Sequence, residues 1–183
     1  PRRSQAELRR ALAPLKAEVA KCEERIAKLA ELIEDIRICM LTTVDTDGKP
    51  WSRPMAVQEV GFGGDLWFFT RDDSEKVEHI ERNRKVGVSF SHPKRQDYVT
   101  MAGTALIVKD KQKAEEMWSE ALEAWFPKGV HDSHLRLFKV EVERAEYWDS
   151  PSSPIVYALG YLKSKITGEP ATDLGENEKV DLG

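Results

Sequence analysis

Between Arg53 and Lys76 the chain gathers residue types that could together hold a phosphorylated, flat and mostly apolar ligand. Arg53 shares one alternating strand face with Trp51, Met55 and Val57. A guanidinium on an apolar face needs a partner, because burying it unpaired is expensive. Pro54 follows, and with no N–H to give to a ladder it confines this strand to an edge, a bulge or a barrel opening. Leu66-Trp67-Phe68-Phe69-Thr70 is an aromatic strand that ends in a hydroxyl. Ser74 then stands as a helix N-cap, with Lys76 in the first helical turn. The helix dipole disfavours a cation there unless an anion sits beside it. Backbone amides, the Ser74 hydroxyl, Lys76 and a facing Arg53 would bind a phosphate dianion. The alternative is an ordinary serine cap beside a surface lysine, with Arg53 paired to Glu59 or another acid. Spacing alone leaves both open.

Other reactive residues form no such group. His131-Asp132-Ser133-His134 has no further histidine or cysteine at a spacing that would complete a metal site, and reads as a polar loop after Pro127 and Gly129. Cys22 and Cys39 each lie within an apolar pattern, which argues against a disulfide and for a reducing compartment. No motif marks a general acid or base. Tyr98, His92 and Asp132 are the polar side chains that could reach a substrate.

The elements that must position these residues follow from periodicity. Leu8, Leu12, Leu15, Val19, Cys22, Ile26, Leu29, Ile33 and Ile36 alternate in steps of four and three. This heptad stripe predicts a helix over residues 5–36, with Pro14 marking a break or restart. Glu18 and Glu23 would oppose each other as like charges in a parallel zipper, so the stripe is expected to lie on its own domain or its partner's. From Ile36 the period becomes two. Strands are expected at 36–45, 51–60 and 66–70, joined by an Asp47-Gly48 hairpin turn and a glycine-rich turn at 61–65, as a three-stranded meander. A short helix at 73–84, strands at 86–91 and 98–108, an amphipathic helix at 111–126 with Trp118 and Trp125 inward, and a strand at 135–147 complete the core. The apolar phase slips between Leu137 and Phe138, as a β-bulge or strong bend would produce. The expected fold is mainly β: a six-stranded antiparallel barrel with flanking helices. Residues 1–35 form the helix, 36–149 the barrel and 150–183 a tail with a short helix at Ile155–Ile166 and a polar end.

Composition narrows the partners. The 183 residues carry a net charge of −4 with acids and bases interspersed, which argues against a nucleic-acid surface. No stretch approaches the roughly eighteen apolar residues of a membrane span, and the charged start lacks a signal-peptide core. A cytoplasmic protein without membrane attachment is expected.

Trp51-Ser52-Arg53-Pro54-Met55, then Leu66–Thr70 with Ser74 and Lys76, resembles the pyridoxamine-phosphate-oxidase-like FMN-binding split barrels, in their bacterial general stress protein branch. Val86–Phe90, Trp125-Phe126-Pro127 and Ala145–Asp149 agree in order and spacing, so the resemblance covers about residues 27–150. It implies a split-barrel homodimer with FMN in clefts at the interface. Arg53, Ser74 and Lys76 would hold the phosphate. Met55, Ala56 and Val57 would give backbone hydrogen bonds along the isoalloxazine edge. Phe69 and Thr70 would line the cleft, and Tyr98, Trp125 and Trp148 would come from neighbouring strands or the second subunit. Gln58 stands where the true oxidases carry a lysine for the substrate phosphate, and Gly160-Tyr161-Leu162-Lys163-Ser164-Lys165 stands in place of their C-terminal tryptophan and arginine block. Vitamin B6 oxidase activity is therefore not expected. What the resemblance implies is an FMN-dependent oxidoreductase of unknown substrate or, alternatively, a non-catalytic flavin store or redox-sensing stress protein. A barrel using haem through His92 or His79, or a deazaflavin, is a further variant.

Overall fold

The computed structural model describes residues 2–58, 61–149, 165 and 176–182. Its elements in chain order are α1 (Arg2–Ile33), β1 (Ile38–Val44), β2 (Pro50–Ala56), β3 (Asp65–Arg71), α2 (Glu75–Arg82), β4 (Lys85–His92), β5 (Asp97–Val108), α3 (Lys111–Met117), a 3₁₀ turn (Glu120–Ala124), β6 (Leu135–Asp149) and β7 (Glu176–Asp181). All strand pairings are antiparallel, in the order β2-β1-β4-β5-β6-β3, with β7 also on β6.

The β1–β2 hairpin turns where Asp47-Gly48 predicts. Gly48 has φ +81°, and Asp45 Oδ1 accepts from the Asp47 and Lys49 amides at 2.8 and 2.9 Å. The expected meander does not form. β3 leaves β2 and pairs with β6, in register Phe68 with Phe138. Among the described residues β2 and β3 are therefore the two ends of the sheet order, and the barrel is split between them. Pro54 lies on that free edge. The Val57 N–H to Arg37 C=O bond fixes which residues of β2 face β1, and residues 52, 54 and 56 face away.

The barrel is filled from its inner face by Cys39, Leu41, Phe68, Val88, Val99, Phe138 and Val140, with Leu29 and Ile33 of α1 closing one end. Burial pushes the Cys39 thiol up to about 12, and its S–H contacts the Met55 carbonyl at 3.6 Å. Alkylation proceeds through the thiolate. Cys39 is therefore expected to resist iodoacetamide at pH 8 until the chain is unfolded, as read by peptide mass spectrometry.

A second core on the opposite face joins Phe69, Ala114, Leu122, Phe126, Leu135 and Leu137. It explains the phase slip at Leu137 and Phe138, which is not a bulge. Both faces of β6 are covered there, so Leu137 enters the second core and Phe138 the first. The register shift falls instead between Ala102 and Gly103, opposite Val142 and Arg144. A Cβ on Gly103 would meet the Glu141 carbonyl oxygen at 2.1 Å, so only glycine allows that approach.

Three further expectations are corrected. α1 runs unbroken through Pro14, which lies in its exposed half, where water can satisfy the carbonyl that loses its donor. The helix expected over 111–126 stops at Trp118, whose extended backbone lets its ring meet Phe69 edge-on at 5.6 Å. Trp125 is accordingly 71 % exposed rather than inward. The polar end contributes a seventh strand, β7, because Val180 opposite Ala145 is buried in the barrel core. The expected helix at Ile155–Ile166 lies outside the described residues apart from Lys165, as do Glu59 and Val60.

α1 is tied to the barrel at its C-terminal half. Lys28 meets Asp149 at 2.7 Å, and Arg95 donates to Asp35 and to the Leu32 carbonyl. Leu8, Leu12, Leu15 and Val19 are exposed on the half beyond.

Candidate functional site

Arg53 and Lys76 come from different elements and are brought together at one end of the barrel. Arg53 is half-buried on the inner face of β2, and its Nη1 donates to Thr43 Oγ1 at 2.8 Å. Lys76 is half-buried in the first turn of α2 and has no hydrogen bond or close ion pair among the described residues. Burial and then the neighbouring Arg53 charge push its ammonium below the ordinary lysine value, with Asp73 pulling the other way. Two neighbouring cations with no acid in close ion pair among the described residues are an unfavourable arrangement for an empty chain and a favourable one for a dianion.

Ser74 occupies the N-cap position by its backbone, but its side chain makes no cap bond. Its hydroxyl lies 2.8 Å from the Arg71 carbonyl and 3.1 Å from the buried Thr70 hydroxyl. The first turn of α2 therefore has no side-chain acceptor from its own cap residue. The turn before it is rigid. Arg71 forks onto Asp73 at 3.0 and 3.1 Å and reaches Asp132 at 3.2 Å. Asp72 holds His134 at 2.8 Å and also Arg136. His134 and then Arg136 keep the Asp72 carboxyl below the usual carboxylate range. Sequence reading missed this clamp, since Asp72 is 62 and 64 residues from its partners.

Along β2 the site continues as backbone. Met55 is buried, while Ala56 and Val57 are half-buried; of the three, Ala56 alone turns its backbone polar groups away from β1, which corrects the expectation of backbone contacts from Met55 and Val57. A cavity of about 550 Å³ lies between this edge and α3, lined by Ile38, Ala56, Val57, Gln58, Trp118 and Trp125. The exposed Trp125 thus faces the β2 edge across open space. Gln58 Nε2 donates to the Ala56 carbonyl at 3.2 Å. It also lines a second cavity of about 630 Å³ with Ile33, Phe62, Leu66 and Trp67.

The remaining residues lie elsewhere. The Phe69 ring is buried in the second core, so only its backbone can reach a cleft near Thr70. Tyr98 and Trp148 are opposite each other across β5 and β6, on the outer sheet face. Ile38 and Met40 are exposed on that same face, with Ser89 and Ser91 of β4 between them and the Tyr98–Trp148 pair. Asp132 is spent on Arg71 and the His134 amide, and His92 Nδ1 accepts from the Arg95 amide at 3.1 Å.

This arrangement coincides with a family match. The family model described as "Pyridoxamine 5'-phosphate oxidase like" matches residues 24–172. The chain belongs to this family. Among curated relatives of this family member, protein bli-3 of Neurospora crassa is 29% identical over 160 residues, covering 82% of this chain and 77% of its own. Among solved structures, a Clostridium acetobutylicum protein related to general stress protein 26 of B. subtilis superposes with a TM-score of 0.65 at 19% identity, over 87% of this chain and 96% of that one. The general stress FMN/FAD binding protein of Xanthomonas citri superposes with a TM-score of 0.61 at 28% identity, over 72% and 92%. The split-barrel fold is thus that of the family, and the seven-stranded sheet with its long N-terminal helix is this member's form of it.

Proposed function

We propose that the protein binds FMN as a homodimer and serves as a general-stress-type flavoprotein of the cytoplasm. The observation that carries this reading is the pair Arg53 and Lys76, two neighbouring half-buried cations that have no acid in close ion pair among the described residues. With the first turn of α2 uncapped by the Ser74 side chain, they suit a terminal phosphate. On the β2 edge Ala56, whose backbone faces away from β1, would meet the polar rim of the isoalloxazine, with Trp125 across the cavity. The name of the Xanthomonas relative supports the flavin class, and the two free thiols suit a reducing compartment.

A bound flavin would supply hydride or electron transfer. This chain's residues would hold the phosphate, orient the ring along β2 and exclude water at the second core. An oxidoreductase of unknown substrate is the first form of the proposal. The alternative, a flavin store or redox sensor, is favoured by one observation: Asp132 and His134, beside the α2 turn, are both already engaged, Asp132 by Arg71 and His134 by Asp72. Steady-state oxidation of reduced nicotinamide by the FMN-loaded protein separates them. Turnover supports the enzyme, and none supports the store. Pyridoxamine phosphate oxidation is not part of the proposal, because Gln58 supplies no cation for a substrate phosphate.

The homodimer rests on the outer sheet face, where Ile38, Met40, Tyr98 and Trp148 are exposed together. Four large apolar side chains on one face, separated by the small Ser89 and Ser91 of β4, suit burial against a second copy. The expected result is that Met40→Asp gives a monomer in sedimentation equilibrium, while deletion of residues 1–20 leaves the dimer. The reverse outcome would assign the interface to the helix.

A further inference from the structure

Resting on the phosphate reading above, we infer that Thr43 and His79 are positioning residues that aim the Arg53 guanidinium, and so set the preference of the site for a phosphorylated flavin. Neither belongs to the motif through which the sequence suggests a phosphate site. Thr43 is fully buried on the inner face of β1. Its hydroxyl oxygen lies 2.8 Å from Arg53 Nη1 and 3.0 Å from His79 Nδ1. His79 is on α2, three residues from Lys76, so the contact links the strand that carries one cation to the helix that carries the other.

The donors can be counted. A guanidinium only donates, so Thr43 Oγ1 accepts from Arg53. The Thr43 proton then needs an acceptor, and the imidazole Nδ1 is the atom within reach. That assigns His79 the neutral form with its proton on Nε2. A proton on Nδ1 would instead leave the Thr43 hydroxyl without an acceptor in a buried place. The chain of bonds therefore runs in one direction, Arg53 to Thr43 to His79. It fixes one edge of the guanidinium and leaves its other N–H groups for an anion. Without it, Arg53 would be free to swing away from Lys76, which repels it.

A purely structural role predicts a different outcome, and two flavins separate the two. The affinity of the full-length protein for FMN and for riboflavin is measured by flavin fluorescence titration, for the wild type and four variants. Thr43→Val and His79→Phe are expected to weaken FMN binding about tenfold, one charged hydrogen bond's worth, and to leave riboflavin binding unchanged. Thr43→Ser, which keeps the hydroxyl, and His79→Asn, which keeps an acceptor near the Nδ1 position, are expected to stay within about threefold of wild type. Equal losses for both flavins, or unchanged FMN affinity in Thr43→Val and His79→Phe, would overturn the relay. A wild-type chain that binds riboflavin as tightly as FMN overturns the phosphate reading, and one that binds neither overturns flavin binding altogether. In both cases the relay falls with it.

Discussion

Arg53→Ala and Lys76→Ala are each expected to weaken FMN binding by about 1.5–3 kcal/mol, the range for hydrogen bonds to charged groups. The two side chains reach the site from β2 and α2, and among the described residues neither has an acid as its close partner. Each loss should therefore be one of phosphate contact rather than of fold. Lys76 gives the sharper version. Burial and Arg53 already disfavour its charge, so removing it relieves a cost in the flavin-free chain. The melting temperature of flavin-free Lys76→Ala should be at or above that of the wild type, while its FMN affinity falls. Calorimetric titration beside a thermal melt reads both. A loss of FMN affinity that merely tracks a loss of stability would mean that Lys76 supports the fold and not the ligand.

Phe138→Ala is expected to cost about 3–5 kcal/mol of stability, the range for deleting a buried aromatic ring. Phe138 is fully buried in the first half of β6, between Phe68 of β3 and Ile107 of β5. Its ring lies 5.5 Å from that of Phe68 at an interplanar angle of 33°. Among the described residues β3 is joined to the sheet through β6 alone, so the cavity would open on the ladder that holds it. A domain of this size has about 5–15 kcal/mol in all. Urea unfolding should show a lower midpoint with an unchanged slope. A cost below about 1 kcal/mol would mean that the barrel core repacks around the gap, and that this pair does not anchor β3.

Local signals carried most of the elements. The Asp47-Gly48 turn, the free-edge position of Pro54, and the inward Val77 and Ile80 of α2 follow from residue type and period. What escaped was set by tertiary contacts. The partner of β3 lies on β6, about seventy residues away, and no property of Leu66–Thr70 names it. The adjacent aromatics Phe68 and Phe69, like Leu137 and Phe138, break the two-residue period because two cores cover opposite faces of one sheet. A single-core reading turns that into a bulge. β7 was invisible because Val180 is its one buried residue, in a run of acids and lysine. At the candidate site, types and spacing single out Arg53, Ser74 and Lys76, and the fold brings Arg53 near Lys76. Thr43 was not legible: a threonine on a strand is ordinary until the fold brings His79 and Arg53 to its hydroxyl.

The most direct test of the central claim is a titration of the full-length, flavin-free protein with FMN and with riboflavin. Saturation at one FMN per chain, with riboflavin bound at least about tenfold more weakly, is the expected result. Equal affinity for the two flavins, or no saturable binding of FMN, would contradict a phosphate site at Arg53 and Lys76.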